Sequence, residues 1–424
     1  MEFKFTCGIY FFTQAFFFFL YNEAENKKGM VMNMNNKNWV SVWGNAVSIA
    51  EHHPEAYAKY ITLRYPVYIP FDGDTLRFTF DNFCGSEAVT VTRATVSAAT
   101  SPVYEKMPLA CPCKKETICD ITFSKNESVT MEAHQTAVSD PVSFPVKKGM
   151  TLTVSLYFAD FTLMQSAVLI TGPLSKGFFS LGDQTHADAL PMDTTKTTNW
   201  FYFLSNIELM TAEENHTVIC YGDSITAGAW PDYLTLLARE NPDNHTAFIR
   251  RATSGSRILR QYECITYDSY GLKGTNRFPH EIPTTGADTV IIQQGINDII
   301  HPIGIETNPF RPMSDLPTAK ELIDGYRYYI EEAKKLHLKV YMGTLLPIFG
   351  WRTYATFRDD LRNELNAWIR SAKEIDGCID FDLALRGSEN PSAFREGFDS
   401  GDHLHPSSKA YQAMAECAYE VLRK

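Results

Sequence analysis

Long apolar runs are missing from this 424-residue chain. The nearest approach to one, Phe11 to Leu20, is too short to span a bilayer as a helix, so stable membrane insertion is not expected. Positive charge is also scarce. The 39 Lys and Arg stand against 50 Asp and Glu, a formal net charge of −11, and no basic stripe offsets it. That argues against nucleic acid as a partner. No glycine-rich phosphate loop, HExxH or EF-hand pattern occurs, so neither a cofactor nor a catalytic metal is expected. Internal repeats and low-complexity tracts are lacking too. What is present is an ordinary globular balance, 44% apolar and 21% charged, in a chain long enough for two domains.

Nine cysteines are spread along the chain. Cys220, Cys264, Cys378 and Cys417 fall in apolar surroundings, where a free thiol behaves as a small hydrophobe. Cys111, Cys113 and Cys119 share one loop, but zinc would need a fourth ligand and a wider first spacing. They read as reduced thiols in a surface loop, which leans towards a cytoplasmic setting. Residues 1–37 read as a leader or as an extension ahead of the true start, without structure of their own. The apolar Phe11–Leu20 stretch suits a signal peptide, yet no small-residue cleavage site follows. Methionines at 30, 32 and 34 suit a later start equally. Cytoplasmic and secreted locations both stay open, as does the oligomeric state.

Residues 38–205 show short β-like runs broken by turns. Thr75 to Phe80 alternates strictly, Ala58 to Pro70, Ala88 to Val96, Ser128 to Met131 and Thr151 to Phe158 are rich in β-branched and aromatic residues, and Asp72-Gly73 marks a turn. An all-β sandwich or jelly roll is expected there. From 206 to 424 strands alternate with helices: strands at Thr217–Tyr221, Thr246–Arg250, Thr289–Gln293, Lys339–Leu345 and Cys378–Phe381, helices at Pro231–Arg239, Thr318–Leu336, Tyr354–Ala372 and Pro406–Leu422. This predicts a three-layer α/β domain around a parallel sheet, with its site beyond the carboxyl ends of the strands.

Chemistry-bearing residues gather at those ends. Gly222-Asp223-Ser224 follows the first strand, and Gly222 allows a sharp turn there. It is not a Gly-x-Ser-x-Gly elbow, because Thr226 stands at the second glycine position. A lone serine of this kind is most simply a turn or helix-cap residue. Three further blocks change that reading: Thr253-Ser254-Gly255-Ser256-Arg257, Gly295-Ile296-Asn297-Asp298 and Asp402-His403-Leu404-His405-Pro406. Serine hydrolysis needs a nucleophile, a base, a carboxylate to orient the base, and donors for the oxyanion. Each kind of group is here.

The four blocks, in this order from about Thr217 to Lys424, resemble the SGNH (GDSL-type) hydrolases, in particular a bacterial esterase subgroup that carries an N-terminal β domain. The resemblance implies a flavodoxin-like catalytic fold. It also implies Ser224 as nucleophile, His405 as general base and Asp402 as its orienting carboxylate. The oxyanion would be held by the backbone N–H groups of Ser224 and Gly255 and by the Asn297 amide. Two departures stand out. His403 occupies a position where a small residue is expected, with Asp399 as a rival carboxylate of poorer spacing. Arg250-Arg251 precedes the second block where an asparagine is expected nearby. Asp298 reads as a residue orienting the Asn297 loop, His301 as a surface histidine, and Trp230, Trp351 and Tyr354 as loop aromatics able to flank the site. The expected activity is hydrolysis of a small-molecule or glycan ester, with a short acyl group, acetyl above all, on a carbohydrate. A lipase or lysophospholipase, or an inactive carbohydrate-binding protein, are the alternatives.

Overall fold

The computed structural model describes residues 37–49, 57–261, 270–303 and 311–423. The two readings of the N-terminal stretch concern residues that, up to 36, lie outside this set. Among the described residues no helix is long and apolar enough to cross a membrane.

An antiparallel all-β region comes first. One sheet places Lys37–Gly44 beside Leu204–Ala212, and that strand beside Gly73–Asp81. The other runs Lys196–Thr198, Gly177–Leu181, Ile61–Tyr68, Thr151–Phe158, Arg93–Ala98, Cys119–Ile121. The alternation read at Thr75–Phe80 is realised: Leu76, Phe78 and Phe80 are fully buried, sharing a core with Leu63, Tyr65, Val154 and Leu156 of the second sheet. Two details differ from expectation. The run at Ala88–Val96 is two strands, since Val89–Val91 pairs with Val129–Met131 whereas Arg93–Ala98 pairs with Thr151–Phe158. The β region also extends past residue 205, because Ile207 and Leu209 on strand Leu204–Ala212 belong to its core.

The parallel sheet follows in the order Thr246–Ala252, His216–Gly222, Ala287–Gln293, Lys339–Gly343, Gly377–Ile379. In chain order this is 2-1-3-4-5, the flavodoxin-like arrangement. Central strands are apolar on both faces, as Val290, Ile291 and Ile292 show by their burial. Right-handed crossovers run in opposite senses from the first strand, which puts helices on both faces. Trp230–Arg239 packs with the C-terminal helix Ser408–Leu422, and Ala319–Lys335 with Thr356–Ser371. The helix at Ala319 opens with a full capping box, Thr318 and Glu321 each bonding the other's backbone N–H. Helix Gly274–Glu281, with Pro279 inside it, has no periodic signature in the sequence.

Two adjacent buried arginines on strand Thr246–Ala252 join the regions. Arg251 donates from Nη1 to the carbonyls of Asn45 (2.7 Å) and Ser205 (2.8 Å), and from Nη2 to Asn206 Oδ1 (3.1 Å). Its Nε reaches the Glu281 carbonyl at 3.0 Å. Burial pushes its pKa down to about 10, against the attraction of Glu281 and Asp81, so it stays charged at neutral pH. Arg250 on the opposite face pairs with Asp232 at 2.8 Å and donates to Ser175 Oγ at 2.9 Å. Ser175 in turn donates to Asp232 (2.8 Å), so a residue of the β region completes the pair. The Arg-Arg that departs from the family pattern is thus an interdomain clamp.

Arg251→Ala leaves buried carbonyls on both sides without a donor. Breaking such a buried charged network typically costs about 3–5 kcal/mol. The thermal midpoint, followed by circular dichroism, is expected to fall by several degrees. A midpoint equal to that of the parent protein would show that the clamp contributes nothing.

Candidate active site

Register brings the blocks together. Gly222 lies opposite Ala252 on one side and Gln293 on the other, so three strands end level. A Cβ at Gly222 would stand 2.3 Å from the Gln293 carbonyl, which is why only glycine lets the chain turn here. Ser224 then begins the short helix Ser224–Ala227, capped by Asp223, whose carboxylate accepts the Ile225 N–H at 3.0 Å. Burial pushes the Asp223 carboxyl up to about 7.

Ser224 Oγ lies 2.9 Å from His405 Nε2, although 181 positions separate the two in sequence. His405 Nδ1 lies 2.6 Å from Asp402 Oδ2. Asp402 Oδ1 also accepts from the backbone N–H groups of His405 (2.8 Å) and Leu404 (3.0 Å) and from Ser400 Oγ (3.1 Å). Burial alone would raise the Asp402 carboxyl. The hydrogen bonds from the His405 ring and from the two N–H groups outweigh it and hold the carboxyl at about 2. Asp402 is therefore an anion at any working pH. It fixes His405 with Nδ1–H as donor and leaves Nε2 to accept from the serine.

The other two blocks form the facing wall. Gly255 has φ +75°, and a Cβ there would meet the Tyr270 ring at 2.2 Å. Asn297 is buried on the helix Ile296–Ile300 and donates one N–H to the Ser256 carbonyl at 3.1 Å. An amide nitrogen carries two N–H groups, so one bond holds its orientation while the other has no partner among the described residues. Among the described residues, none accepts from the backbone N–H of Ser224 or Gly255. Asp298 spans the two blocks, its carboxylate accepting from the N–H groups of Ile258 (2.9 Å) and Leu259 (3.0 Å). Its role is thus wider than orienting its own loop.

Several sequence expectations need correcting. Asp399 is not a rival for His405: its Oδ2 is 2.5 Å from His403 Nδ1. A positive φ of 64° at His403 turns that ring away on its own carboxylate, which spacing alone does not reveal. His301 is buried, stacked on Tyr270 with ring centroids 5.0 Å apart, rather than on the surface. Trp230 is fully buried in a helix, with Nε1 3.3 Å from Thr226 Oγ1, and does not flank the site. Trp351 and Tyr354 do lie in a loop, beside His301 in a cleft. Cys111 and Cys113 are buried rather than superficial, and Arg64 holds that loop through the Cys111 carbonyl at 3.2 Å. Among the described residues no cluster of His, Cys, Asp and Glu has the form of a metal site.

Residues 220–413 match the family described as GDSL-like Lipase/Acylhydrolase. No curated protein matches the chain. Similar solved structures include a GDSL-like lipase from Bacteroides thetaiotaomicron, 19% identical over 50% of this chain and 89% of that one, with TM-score 0.37. Another is a catalytic mutant of Axe2, an acetylxylan esterase from Geobacillus stearothermophilus, 16% identical over 48% of this chain and 93% of that one, TM-score 0.37. The α/β part of this chain belongs to the GDSL-like lipase/acylhydrolase family, and the protein is a hydrolase of ester bonds.

Proposed function

We propose that the protein is a serine esterase working through an acyl-enzyme, with Ser224, His405 and Asp402 as its triad, and that it removes a short acyl group, acetyl above all, from a carbohydrate. The observation that carries the first half is the continuous hydrogen-bond chain Ser224 Oγ, His405 Nε2, His405 Nδ1, Asp402 Oδ2, with links of 2.9 and 2.6 Å. Catalysis belongs to the α/β part, and the β region serves as an accessory domain fastened to it.

In this reading Ser224 Oγ attacks the ester carbonyl carbon while His405 Nε2 takes its proton. The carbonyl oxygen becomes an oxyanion, held by the N–H groups of Ser224 and Gly255 and the free N–H of Asn297. Collapse breaks the bond to the alcohol, which leaves with the proton from His405. Water then attacks the acyl-enzyme, giving its proton to the same nitrogen, and the acid departs as Ser224 is restored. Support for a sugar alcohol comes from the cleft beside His301, where Trp351, Tyr354 and Phe357 offer aromatic faces among arginines rather than an apolar channel for a lipid tail.

Asn297→Ala is expected to lower kcat by roughly 10²–10³ with little change in KM, since an oxyanion donor acts mainly in the transition state. A series of p-nitrophenyl esters measures this and the acyl preference together. Fastest turnover on acetate fits the reading; preference for long chains points to a lipase, and no turnover on any ester to an inactive binding protein. A raised KM at constant kcat would make Asn297 a substrate-binding residue instead.

Substitution separates the Asp402–His405 pair from the Asp399–His403 pair. Asp402→Asn should reduce kcat by about 10⁴, the loss typical when the orienting carboxylate of a serine-hydrolase triad is neutralised. His403→Ala should keep most of the activity, because its ring is bound to Asp399. The reverse pattern in steady-state kinetics would overturn the assignment.

A further inference from the structure

The cleft beside the site has chemistry that ester hydrolysis does not itself require. Its volume is about 450 Å³, within the range of small-molecule sites. One wall is Ile300 and His301, directly after the helix that carries Asn297. The other is the loop holding Trp351, Arg352 and Tyr354, which bonds the first wall through Thr353 Oγ1 to the Ile300 carbonyl at 3.0 Å. The same loop abuts the segment that carries the base: a Cβ at Gly350 would lie 2.7 Å from the ring of His403, two residues before His405. The walls of the cleft are therefore joined to the segments that carry Asn297 and His405.

Its charge is unusual for this molecule. Arg358 is buried, and its guanidinium is bound to the carbonyls of Ile299 and Pro302. Arg352 is different. It is exposed, lies 4.6 Å above the Trp351 ring, and has neither a hydrogen bond nor an ion pair with any described residue. Burial, followed by the charges of Arg257, Arg311 and Arg352, holds His301 well below its ordinary pKa, so the ring is neutral. Among the described residues this corner is locally positive, in a chain of net charge −11. Such a field repels no anion and gives a carboxylate a planar, two-donor partner.

We propose that this cleft receives the alcohol half of the ester and selects a ring that carries a carboxylate, an O-acylated uronic acid unit, with Arg352 pairing with the carboxylate and Trp351 and Tyr354 lining the ring's faces. The proposal rests on the esterase reading for the bond that is cut. The recognition itself does not depend on Ser224 being active.

Full-length enzyme is assayed on an O-acetylated methyl glucuronoside and the equivalent methyl glucoside, with p-nitrophenyl acetate as a neutral reference. A two-donor, hydrogen-bonded Arg–carboxylate pair is worth about ten- to a hundredfold. The ratio of kcat/KM for uronide over neutral sugar should therefore be about ten or more in the parent enzyme. It should fall to about one in Arg352→Ala and recover in part in Arg352→Lys, with KM carrying the change. Binding of the acetylated glucuronoside to Ser224→Ala protein, with and without Arg352→Ala, is followed by calorimetry. Hydrolysis of the neutral ester with a ratio near one, or a ratio indifferent to Arg352, overturns the proposal and leaves the esterase reading intact. Arg352-dependent binding without hydrolysis of any acetate sustains the proposal and overturns the esterase reading. Absence of both hydrolysis and Arg352-dependent binding overturns both.

Discussion

Gly222, Ala252 and Gln293 sit side by side where three parallel strands end. The loops leaving those strands have nowhere to go but over the same edge of the sheet. One carries Ser224, one Gly255 and one Asn297. Chain order 2-1-3-4-5 puts this edge at the point where crossovers diverge, and divergence opens a crevice between the loops. The fourth block arrives from a distance, positioned by the helix Ser408–Leu422 packing against Trp230–Arg239, the helix that follows the serine turn. A one-residue slip between the first and third strands would move Ser224 relative to Asn297 by the rise of a residue, roughly 3.3 Å. That exceeds the tolerance of a hydrogen-bonded site.

The same edge is where the β region takes hold. Arg250 and Arg251 leave the strand on opposite faces, just before the Gly255 turn, and each ends in a polar cage made partly by the β region. Because a buried guanidinium needs several acceptors, neither region alone offers Arg251 a satisfied environment. The attachment is therefore specific rather than adhesive. It also runs directly into the proposed oxyanion wall: Arg277 donates to the Gly222 and Arg251 carbonyls (3.1 and 3.0 Å) and to Ser256 Oγ (2.8 Å). Strain in the clamp would reach Gly255 within a few bonds.

Much of this was legible in the sequence. The apolar run Thr289–Gln293, the alternation at Thr75–Phe80 and the helical pattern at Thr318–Leu336 are long enough for periodicity to decide them, and the blocks place Ser224, Gly255 and Asn297 after strands and Asp402 and His405 before the last helix. Other features depend on contacts that no local pattern encodes. Arg250-Arg251 reads only as a departure from an expected asparagine until carbonyls some 46 and 206 positions away are seen to receive Arg251. His301 reads as a surface residue because its burial depends on Tyr270, met only in the folded chain. Asp399 and His403 are four apart across a turn, and only the positive φ at His403 brings the ring back. Helix Gly274–Glu281 escapes notice because Pro279 interrupts the usual signal.

The account stands or falls on Ser224 being the group that becomes acylated. Treatment with a fluorophosphonate, followed by digestion and mass spectrometry, tests this directly, since such reagents need a serine oxygen already activated by a base. We expect one adduct per chain, on the peptide containing Ser224, formed in step with loss of esterase activity and much more slowly in Asp402→Asn. An active protein that resists the reagent at Ser224, or that keeps its activity when Ser224 is fully modified, would contradict the account.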